Sequence, residues 1–567
     1  MTDDAQSHSS MTPQKADLVL QNGLVYTVDK DRSRAESIAV RGRKIVYVGR
    51  NSGVEGFIDN NTHVIDLDGK MVLPGFTDSH AHASFAALLA TAELNNLTSM
   101  PAYQQSIRDY AGKHPDLETV YGTGWSNTLF PPTGPRKEEL DDVVSDRPAA
   151  MMSEDGHAVW VNSPALSMAG ITRNTPHPEG GVIERDPQSG DPCGTLRETA
   201  MDFIFEALPP ISVEEMVKGI DAYAALAAKQ GITTVHDPML ILPGDSQSYL
   251  GSGIMGTNLA AFSQMAGQDR LPLRVRGSLL AVPQRGVSQV PAFVTERDRH
   301  SGSLLQTRAV KVFVDGVVEG STAYLAEPYV HLPNFRGEPL WEASALNAIC
   351  QALDRENFQI HVHAIGDAAT SLTLDAFEYT RKANGQRDSR HLITHLQLVA
   401  AEDIPRFAEL GVIGVPQPLW FLKDSFYNTA LSYLGRQRAE HQYPMKSFIA
   451  AGVKMASASD FPVTLPCPPL RGIMTGVTRC IPGAAEPDKV LWPRERVGLD
   501  DMIASFTING AYANFLENDT GSLEVGKLAD MVVLDKNLFE IPAADIGHAR
   551  VLLTLFEGSE VYRDASL

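Results

Sequence analysis

The sequence predicts an α/β protein: a (β/α)8 TIM-type barrel with a small composite β-sandwich domain formed by both chain ends and a large insertion after barrel strand 1. In the middle of the chain, short apolar strands alternate with amphipathic helices, as in βα units. Both chain ends contain only short strands and turns, and one βα connection is far too long. The predicted divisions are a disordered tail at 1–15, sandwich parts at 16–73 and 516–567, and a barrel at 74–515 with an insertion at about 83–211.

The two chain ends have the pattern of short paired strands. Residues 17–27 contain two apolar runs on either side of Asn22-Gly23, a favoured turn sequence, and residues 37–49 favour a hairpin. Residues 521–562 repeat the pattern of short apolar runs. Neither end has enough strands for its own core, so we expect the two ends to complete one sandwich together.

Eight apolar strand runs occupy the middle of the chain, and eight is the number that a (β/α)8 barrel requires. The first leads into His80, and the other seven cover 231–237, 273–280, 309–316, 358–364, 392–395, 411–416 and 452–460. Stretches between them, such as 343–356, have helical spacing and length. The connection from His82 to Ile211 is too long for one βα loop, so we interpret it as an insertion over the barrel mouth.

Composition and charge exclude several classes of function. The chain has 567 residues and a net charge of −21, which argues against nucleic acid or an anionic membrane as partner, because both select basic surfaces. The four cysteines have no close pairing, so neither a disulfide framework nor a zinc knuckle is indicated. Residues 1–15 lack the apolar core of a signal peptide, and no later run is long enough to span a bilayer. We therefore expect a cytoplasmic protein that acts on a small-molecule substrate.

Two histidines mark the end of the first barrel strand. His80 and His82 are one residue apart, so on an extended strand both side chains face one site. Imidazole nitrogen is the commonest protein ligand for zinc-type metals, but His-x-His alone is a weak signal. Other metal-competent residues stand at later strand ends, which meet at one face of a barrel: Lys311, His363, His395 and Asp460. Together these residue types predict a nitrogen/oxygen metal site with open positions.

Longer motifs surround these residues. They are SEDGHAVWVNS at 153–163, KVFVDG at 311–316, HAIGD at 363–367, HLQ at 395–397 and GKLAD at 526–530. With the predicted ligands in this order, the chain resembles the amidohydrolase superfamily, amidohydrolase family 3, and within it the N-substituted formamide deformylase-like (YtcJ-like) branch. The resemblance covers nearly the whole chain.

The resemblance implies a site with two divalent ions, of which zinc is the expected one, and a single ion is the alternative. His80, His82 and Asp460 would hold the first ion, and His363 with His395 the second. His363 is preferred over His361 because it lies nearer the carboxyl end of its strand, and we expect His361 to be a packed, hydrogen-bonded neighbour. His236 is expected to be a core histidine, with support of the site from behind as the alternative.

The resemblance also implies roles for Lys311 and Asp460. Lys311 would bridge the two ions as an N-carboxylated lysine, because a carbamate offers two hard oxygens where a free amine is a poor ligand. The alternative for Lys311 is a simple ion-pair partner. Asp460 would take a proton from the attacking water and pass it to the leaving nitrogen.

Five further residues are candidates for catalysis or substrate binding: Trp125, His157, Trp160, Glu319 and Trp420. The family pattern makes His157 a catalytic, oxyanion or substrate contact, and loop anchoring is the alternative. Trp125, Trp160 and Trp420 are candidate pocket walls, for which aromatic core packing is the alternative. Glu319 follows the fourth barrel strand and is expected to reach the site, unless it is a solvated loop charge.

These observations predict a metal-dependent hydrolase that cleaves a non-peptide carbon–nitrogen bond in an amide, formamide or carbamate by metal-activated water. A deaminase of an amino-heterocycle is a second enzymatic interpretation, since the same water can attack a ring carbon. A non-catalytic barrel that has lost its metals is the third. Aromatic residues in the insertion indicate an apolar or aryl acyl group, and a homodimer is a candidate assembly.

Overall fold

The computed structural model describes residues 14–242, 248–249, 251–481 and 486–567. Seven short strands come first in the chain: β1 Leu18–Gln21, β2 Leu24–Tyr26, β3 Arg34–Ala35, β4 Ser37–Arg41, β5 Lys44–Gly49, β6 His63–Asp66 and β7 Met71–Pro74. Four of them form a sheet in the order β5-β4-β1-β6, with β4 and β5 paired as the predicted hairpin. The Asn22-Gly23 turn, however, leads from β1 in this sheet to β2 in another, so it is a corner between sheets and not a hairpin turn.

The long connection after the first barrel strand forms a sheet of its own. After β8 Phe76–Asp78, it contains β9 Ala92–Glu93, β10 Val120–Trp125, β11 Ala149–Ser153, β12 Ala158–Val161, β13 Gly181–Arg185 and β14 Pro192–Glu198. The order across this sheet is β13-β14-β12-β11-β10-β9. Successive residues of its buried strands point to opposite faces, and this alternation decides which of them face the barrel.

A parallel sheet of seven strands forms the centre of the molecule. Its later members are β15 Ile232–Leu240, β16 Arg274–Leu280, β17 Leu305–Phe313, β18 Gln359–Ala364, β19 Leu392–His395 and β20 Ile413–Val415. The order is β20-β19-β18-β17-β16-β15-β8, and every neighbouring pair is parallel. The sheet is buried on both faces and curls in the TIM-like manner, which confirms the predicted parallel α/β class.

The eighth predicted strand makes an isolated bridge and no continuous ladder in the described part of the chain. Within 452–460, Met455 makes an isolated parallel bridge with Gly414 beside β20. At the other edge, the Asp460 N–H donates to the His80 carbonyl at 2.9 Å. The segment therefore lies between the two edges of the sheet and carries Asp460 to the end of the first strand.

The last three strands of the chain join the first ones. They are β21 Met531–Leu534, β22 Val551–Phe556 and β23 Ser559–Arg563. Their sheet has the order β23-β22-β21-β7-β2-β3, in which β21 runs antiparallel to β7 and Val532 lies opposite Leu73. The chain termini thus share one sheet.

Helices follow most of the barrel strands. The α-helices are α1 Asn51–Val54, α2 Ala86–Leu89, α3 Met100–Lys113, α4 Lys137–Asp141, α5 Ser163–Met168, α6 Asp202–Phe205, α7 Val213–Lys229, α8 Asn258–Gly267, α9 Val290–Arg299, α10 Ala343–Arg355, α11 Asp367–Asn384, α12 Ile404–Leu410, α13 Ser425–Leu434, α14 Arg436–Glu440, α15 Met445–Ala450, α16 Pro469–Thr478, α17 Leu499–Ser505 and α18 Ile508–Ala513. In α7, the buried positions Met216, Ile220, Tyr223 and Ala227 recur at helical spacing and define the face turned to the core. No helix within the described ranges is long and apolar enough to cross a bilayer.

Candidate metal centre

Six polar side chains converge at the carboxyl ends of the parallel strands, where active sites of such folds lie. They follow or end β8, β17, β18, β19 and the segment 452–460. All six line one cavity of about 500 Å³: His80, His82, Lys311, His363, His395 and Asp460. The structure therefore brings together every residue that the sequence predicts as a metal ligand.

Asp460 lies at the centre of this group. Its Oδ1 is 3.3 Å from His80 Nε2 and 3.4 Å from His82 Nε2, and its Oδ2 is 3.7 Å from His395 Nδ1. The His395 and His363 rings lie 4.5 Å apart, centroid to centroid. One ligand atom from each of His80, His82 and Asp460 lies within 4.8 Å of the others.

The chemistry of these groups fits a divalent cation that prefers nitrogen and oxygen ligands. Asp460 Oδ1 and His82 Nδ1 are buried and have no hydrogen-bond partner within the described part of the chain. Buried polar atoms are otherwise almost always paired, so this carboxylate oxygen calls for a positive partner. His395 and Asp460 also have positive φ values of 75° and 57°, a strained backbone that is typical of functional sites.

Burial sets the charge of the candidate ligands. It lowers the pKa values of His80, His363 and His395 well below the ordinary value, so these imidazoles are neutral and can act as ligands. Burial also lowers the pKa of Lys311 to about 7, although the charge of Asp460 acts in the opposite direction. For Asp460, burial alone would raise the pKa, but the neighbouring His82 and His395 lower it below the ordinary value. The result is an ionised carboxylate beside neutral nitrogen ligands and an amine that deprotonates easily.

One further histidine supports His80 from behind, and a second packs against that histidine. His80 Nδ1 lies 2.8 Å from His361 Nε2, and His361 Nδ1 lies 3.1 Å from Ser278 Oγ. His236 shares the same hydroxyl at 2.7 Å and bonds to Asn514 Oδ1 at 2.9 Å. His361 is thus a packed, hydrogen-bonded neighbour and His236 a fully bonded core histidine, while the His80 ring is held with Nε2 towards Asp460.

His157 reaches the site from the insertion. Its Nδ1 lies 2.8 Å from Glu198 Oε2, and its ring lies 5.3 Å from that of His363. Burial alone would lower the pKa of His157, but the Glu198 carboxylate raises it to about 9, so the imidazole is positively charged. Glu198 also accepts a hydrogen bond from Thr322 Oγ1 at 2.6 Å, which ties the insertion to the loop after β17.

Glu198 and Asp315 are two residues of the site that sequence reasoning missed. Glu198 ends the buried strand β14, and its positive φ of 50° is visible only in the structure. Asp315 accepts the N–H groups of Ile365 and Gly366 at 3.0 and 2.8 Å, and thereby holds the turn that follows His363. The signal for Asp315 was present in the KVFVDG motif, but its acceptor role was not evident there.

Glu319 and Trp420 lie where the sequence predicts, on the cavity wall. The Trp420 indole stacks on the His395 ring at 5.6 Å with an angle of 7° between the planes, and its Nε1 donates to Thr464 Oγ1 at 2.7 Å. Burial, followed by the charges of Asp155 and Asp424, raises the pKa of Glu319 to about 8.

Trp125 and Trp160 are placed differently from the prediction, because neither is part of the cavity wall. Both are fully buried in the core of the insertion. Their indole N–H groups donate to the carbonyls of Met151 and Arg136, each at 2.8 Å. Alternation along β12 turns Trp160 into this core while its neighbour Val159 packs towards the barrel. Core packing, the alternative interpretation, describes both tryptophans.

Comparison with known proteins adds independent information. The sequence profile of the amidohydrolase family matches residues 63–562. The Arabidopsis thaliana protein LONG AFTER FAR-RED 3 is 31% identical over 98% of this chain and 93% of its own length. The putative amidohydrolase YtcJ of Bacillus subtilis is 29% identical over 96% of this chain and 99% of its own length. The N-substituted formamide deformylase of Arthrobacter pascens is 27% identical over 96% and 98% of the two chains.

Solved structures share the fold at lower sequence identity. A metal-dependent hydrolase from Pyrococcus horikoshii covers 93% of this chain and 99% of its own, with a TM-score of 0.72 and 22% identity. Atrazine chlorohydrolase TrzN from Arthrobacter aurescens, solved with zinc, covers 96% and 95% of the two chains with a TM-score of 0.52 and 15% identity. By its sequence over 63–562, the chain belongs to the amidohydrolase family, a family of metal-dependent hydrolases, and is itself a hydrolase.

Proposed function

We propose that this protein hydrolyses a non-peptide carbon–nitrogen bond, in an amide, formamide or carbamate, at the strand-end cluster. The observation that carries this proposal is the group of His80, His82 and Asp460 around one buried, unpaired carboxylate oxygen. Cleavage of such a bond needs a nucleophilic water, a proton acceptor that can become a donor, and stabilisation of negative charge on the carbonyl oxygen.

The cluster provides ligands for two divalent ions, which we expect to be zinc. His80, His82 and Asp460 would hold one, and His363 with His395 the other. When bound, the ions supply Lewis acidity, which polarises a carbonyl and acidifies a bound water. Lys311 is the candidate bridge as an N-carboxylated lysine, because burial leaves much of its amine unprotonated near pH 7 and only the neutral amine adds carbon dioxide.

Asp460 and His157 have complementary roles in this proposal. Asp460 Oδ1, which makes no hydrogen bond within the described part of the chain, accepts the proton of the attacking water and then donates it to the leaving nitrogen. His157, kept charged by Glu198, presents its other ring nitrogen to the substrate and stabilises the developing negative charge on the carbonyl oxygen. Trp420 fixes the plane of His395 and forms part of the wall against which the substrate packs.

The cavity supports a substrate with an apolar part. Its volume of about 500 Å³ suits a small molecule, and aromatic and aliphatic side chains share its wall with the polar cluster, among them Phe85, Leu129, Phe313, Trp420 and Phe426. A relative that spans almost the whole chain bears the name N-substituted formamide deformylase, which is consistent with an amide whose nitrogen carries a bulky group.

We also propose that the terminal sheets form one composite sandwich around the predicted boundaries of 16–73 and 516–567. A shared apolar core supports this division. It combines Leu20 and Ile38 of the four-stranded sheet with Met531 and Leu553 of the sheet that joins both chain ends.

The proposed reaction can be tested with a panel of aryl-substituted formamides, acetamides and carbamates, with and without a carboxylate. We expect zinc-loaded protein to release a primary amine, detected with an amine-reactive dye, from at least one member. Asp460→Asn removes the proposed base and should stop release, whereas Asp298→Asn, a change at a surface ion pair, should not. Ammonia release from amino-heterocycles alone would identify a deaminase, and no turnover of any compound with any divalent metal would contradict the proposal.

A further inference from the structure

One arginine side chain in the cavity wall has no hydrogen-bond or ion-pair partner among the described residues. Arg471 is the third residue of α16 and lines the cavity that holds the strand-end cluster. Its guanidinium makes neither an ion pair nor a side-chain hydrogen bond with any residue in the described ranges, and its Nε is buried from solvent. A guanidinium is permanently charged and carries five N–H donors, so its terminal nitrogens remain available to water or to a bound anion.

Other buried or partly buried arginines of the chain show how the protein itself satisfies a guanidinium. Arg479 donates from all three nitrogens to backbone carbonyls at 2.7 to 3.1 Å. Arg147 and Arg276 also leave Nε without an acceptor, but their terminal nitrogens bond to carbonyls. Arg471 has neither kind of bond, although it sits in the wall of the cavity that holds the candidate active site. The Arg471 side chain is partly buried, and an anion bound in the cavity is the partner that its charge lacks.

The position of Arg471 relates it to the reacting groups. The chain runs from Asp460 through Val463, Thr464 and Leu465, which also line the cavity, into the first turn of α16. Arg471 therefore lines the same cavity as the proposed base. A substrate bound in this cavity would present one group to Asp460 and another to Arg471.

The cavity wall also contains acidic residues, which disfavour an anion near them. Glu154, Asp155, Glu319 and Asp424 all line the cavity, and none of them forms an ion pair with Arg471. Burial, together with the charges of neighbouring carboxylates, raises the pKa of Glu154 to about 7 and that of Glu319 to about 8. Those carboxyl groups are substantially protonated near neutral pH and can donate hydrogen bonds. Near Arg471, by contrast, a negatively charged substituent is favoured.

From these contacts we propose that Arg471 is a specificity-determining residue that binds a carboxylate on the substrate, so that the substrate class is an amide bearing a carboxylate, such as an N-acyl amino acid. This inference rests on the proposed amide hydrolysis. The two terminal nitrogens of the guanidinium offer paired N–H donors, the geometry in which arginine binds a carboxylate end-on.

The test compares two substrates that differ only in the carboxylate: N-formylphenylalanine, as the racemate, and N-formyl-2-phenylethylamine. For wild-type protein we expect the carboxylated compound to have the higher kcat/KM. In Arg471→Met the ratio of the two kcat/KM values should fall about 10- to 100-fold, as expected for loss of a charge-assisted hydrogen-bond pair. Arg471→Lys keeps the charge without the paired donors and should recover part of the ratio. Arg436→Met, at an arginine that is 79% exposed, is the matched control and should leave the ratio unchanged.

A binding measurement separates this inference from the proposed reaction. Calorimetry with Asp460→Asn protein should give tighter binding of N-formylphenylalanine than of the neutral compound, and the added Arg471→Met change should abolish the difference. If that holds while wild-type protein hydrolyses neither compound, the carboxylate subsite stands and the reaction fails. Equal binding of the two compounds, or an unchanged kcat/KM ratio in Arg471→Met protein with a normal circular dichroism spectrum, would overturn the subsite.

Discussion

The two ends of the parallel sheet bury charged groups in opposite ways. At the amino end, Arg274 begins β16 and donates to Asp530 and Glu557 at 2.7 Å each, so that all three charges are paired. At the carboxyl end, Asp460 lies among imidazoles and one of its oxygens has no hydrogen bond. A structural cluster requires that all its charges are paired. A ligand site instead leaves an oxygen unpaired for its ligand, here on a residue with a strained backbone. The same fold thus separates its stabilising charges from its reactive ones.

The largest effect that distinguishes the two ends is expected for Asp460→Asn. Asparagine keeps the shape but cannot take up a proton, so kcat on a cleaved amide should fall by about 10³-fold or more. The melting temperature should change little, because the carboxylate makes no well-directed hydrogen bond at Oδ1. Near-normal turnover in a variant that retains its metal would remove Asp460 from the proton-transfer role.

The reverse behaviour is expected for Arg274→Met at the amino end. Loss of the guanidinium leaves Asp530 buried without its cation and Glu557 with Arg43 alone, which should lower the free energy of unfolding by about 3–5 kcal/mol. Turnover per folded molecule should stay at the wild-type level. Urea unfolding measures the first quantity, and Arg173→Met, at an exposed ion pair, should cost less than about 1 kcal/mol. A similar small cost for both variants would show that the buried cluster is not a structural one.

An intermediate effect on activity is expected for Glu198→Gln. Glutamine can still bond to His157 and Thr322, but it no longer holds a positive charge on the imidazole. We expect kcat/KM to fall about 10- to 100-fold, with the larger part in kcat if His157 acts on the transition state. Thr322→Val, which removes the second bond to Glu198 and the acceptor of the Val317 N–H but leaves the Glu198 charge, is the comparison variant and should have a smaller effect. Wild-type kinetics in Glu198→Gln would place His157 in loop anchoring instead.

The smallest effect concerns a second paired cluster, around Asp354. Burial alone would raise the pKa of Asp354, but hydrogen bonds from His391 and Asn384 and the nearby charge of Arg387 lower it to about 2. A depressed pKa contributes stability that is present above about pH 4 and is lost as the pH falls towards 2. The difference in unfolding free energy between wild type and Asp354→Asn should therefore shrink below about pH 4, by at most about 2 kcal/mol. A difference that is constant between about pH 6 and pH 3 would contradict this pairing.

The sequence was informative where the signal is local. Strand runs are short and apolar, and the polar residue near the end of each run lies at the strand end. The sequence alone therefore places His80, His363 and Asp460 at one face of the barrel. The alternation of strands and helices likewise predicts the parallel sheet. The structure contains seven of its strands, in the expected order.

Other features depend on contacts that sequence does not encode locally. Trp125 and Trp160 lie on strands that are buried on both faces, so apolar patterning cannot tell which face turns to the barrel. Glu198 meets His157 across 41 positions of the chain, and its role depends on a backbone turn with positive φ. The Asn22-Gly23 pair favours a tight turn, but only the pairing of distant strands decides that the turn joins two sheets.

Metal content per chain is the most direct test of whether the strand-end cluster is a metal centre. We would measure it by elemental analysis on protein purified without chelator, together with the intact mass under native conditions. We expect two zinc-like ions per chain and the added mass of one carbon dioxide on Lys311. A protein carrying His80→Ala and His82→Ala should lose the first ion. One ion without added mass would contradict the bridging role of Lys311. No bound metal under any loading condition would contradict the interpretation of the strand-end cluster as a metal centre.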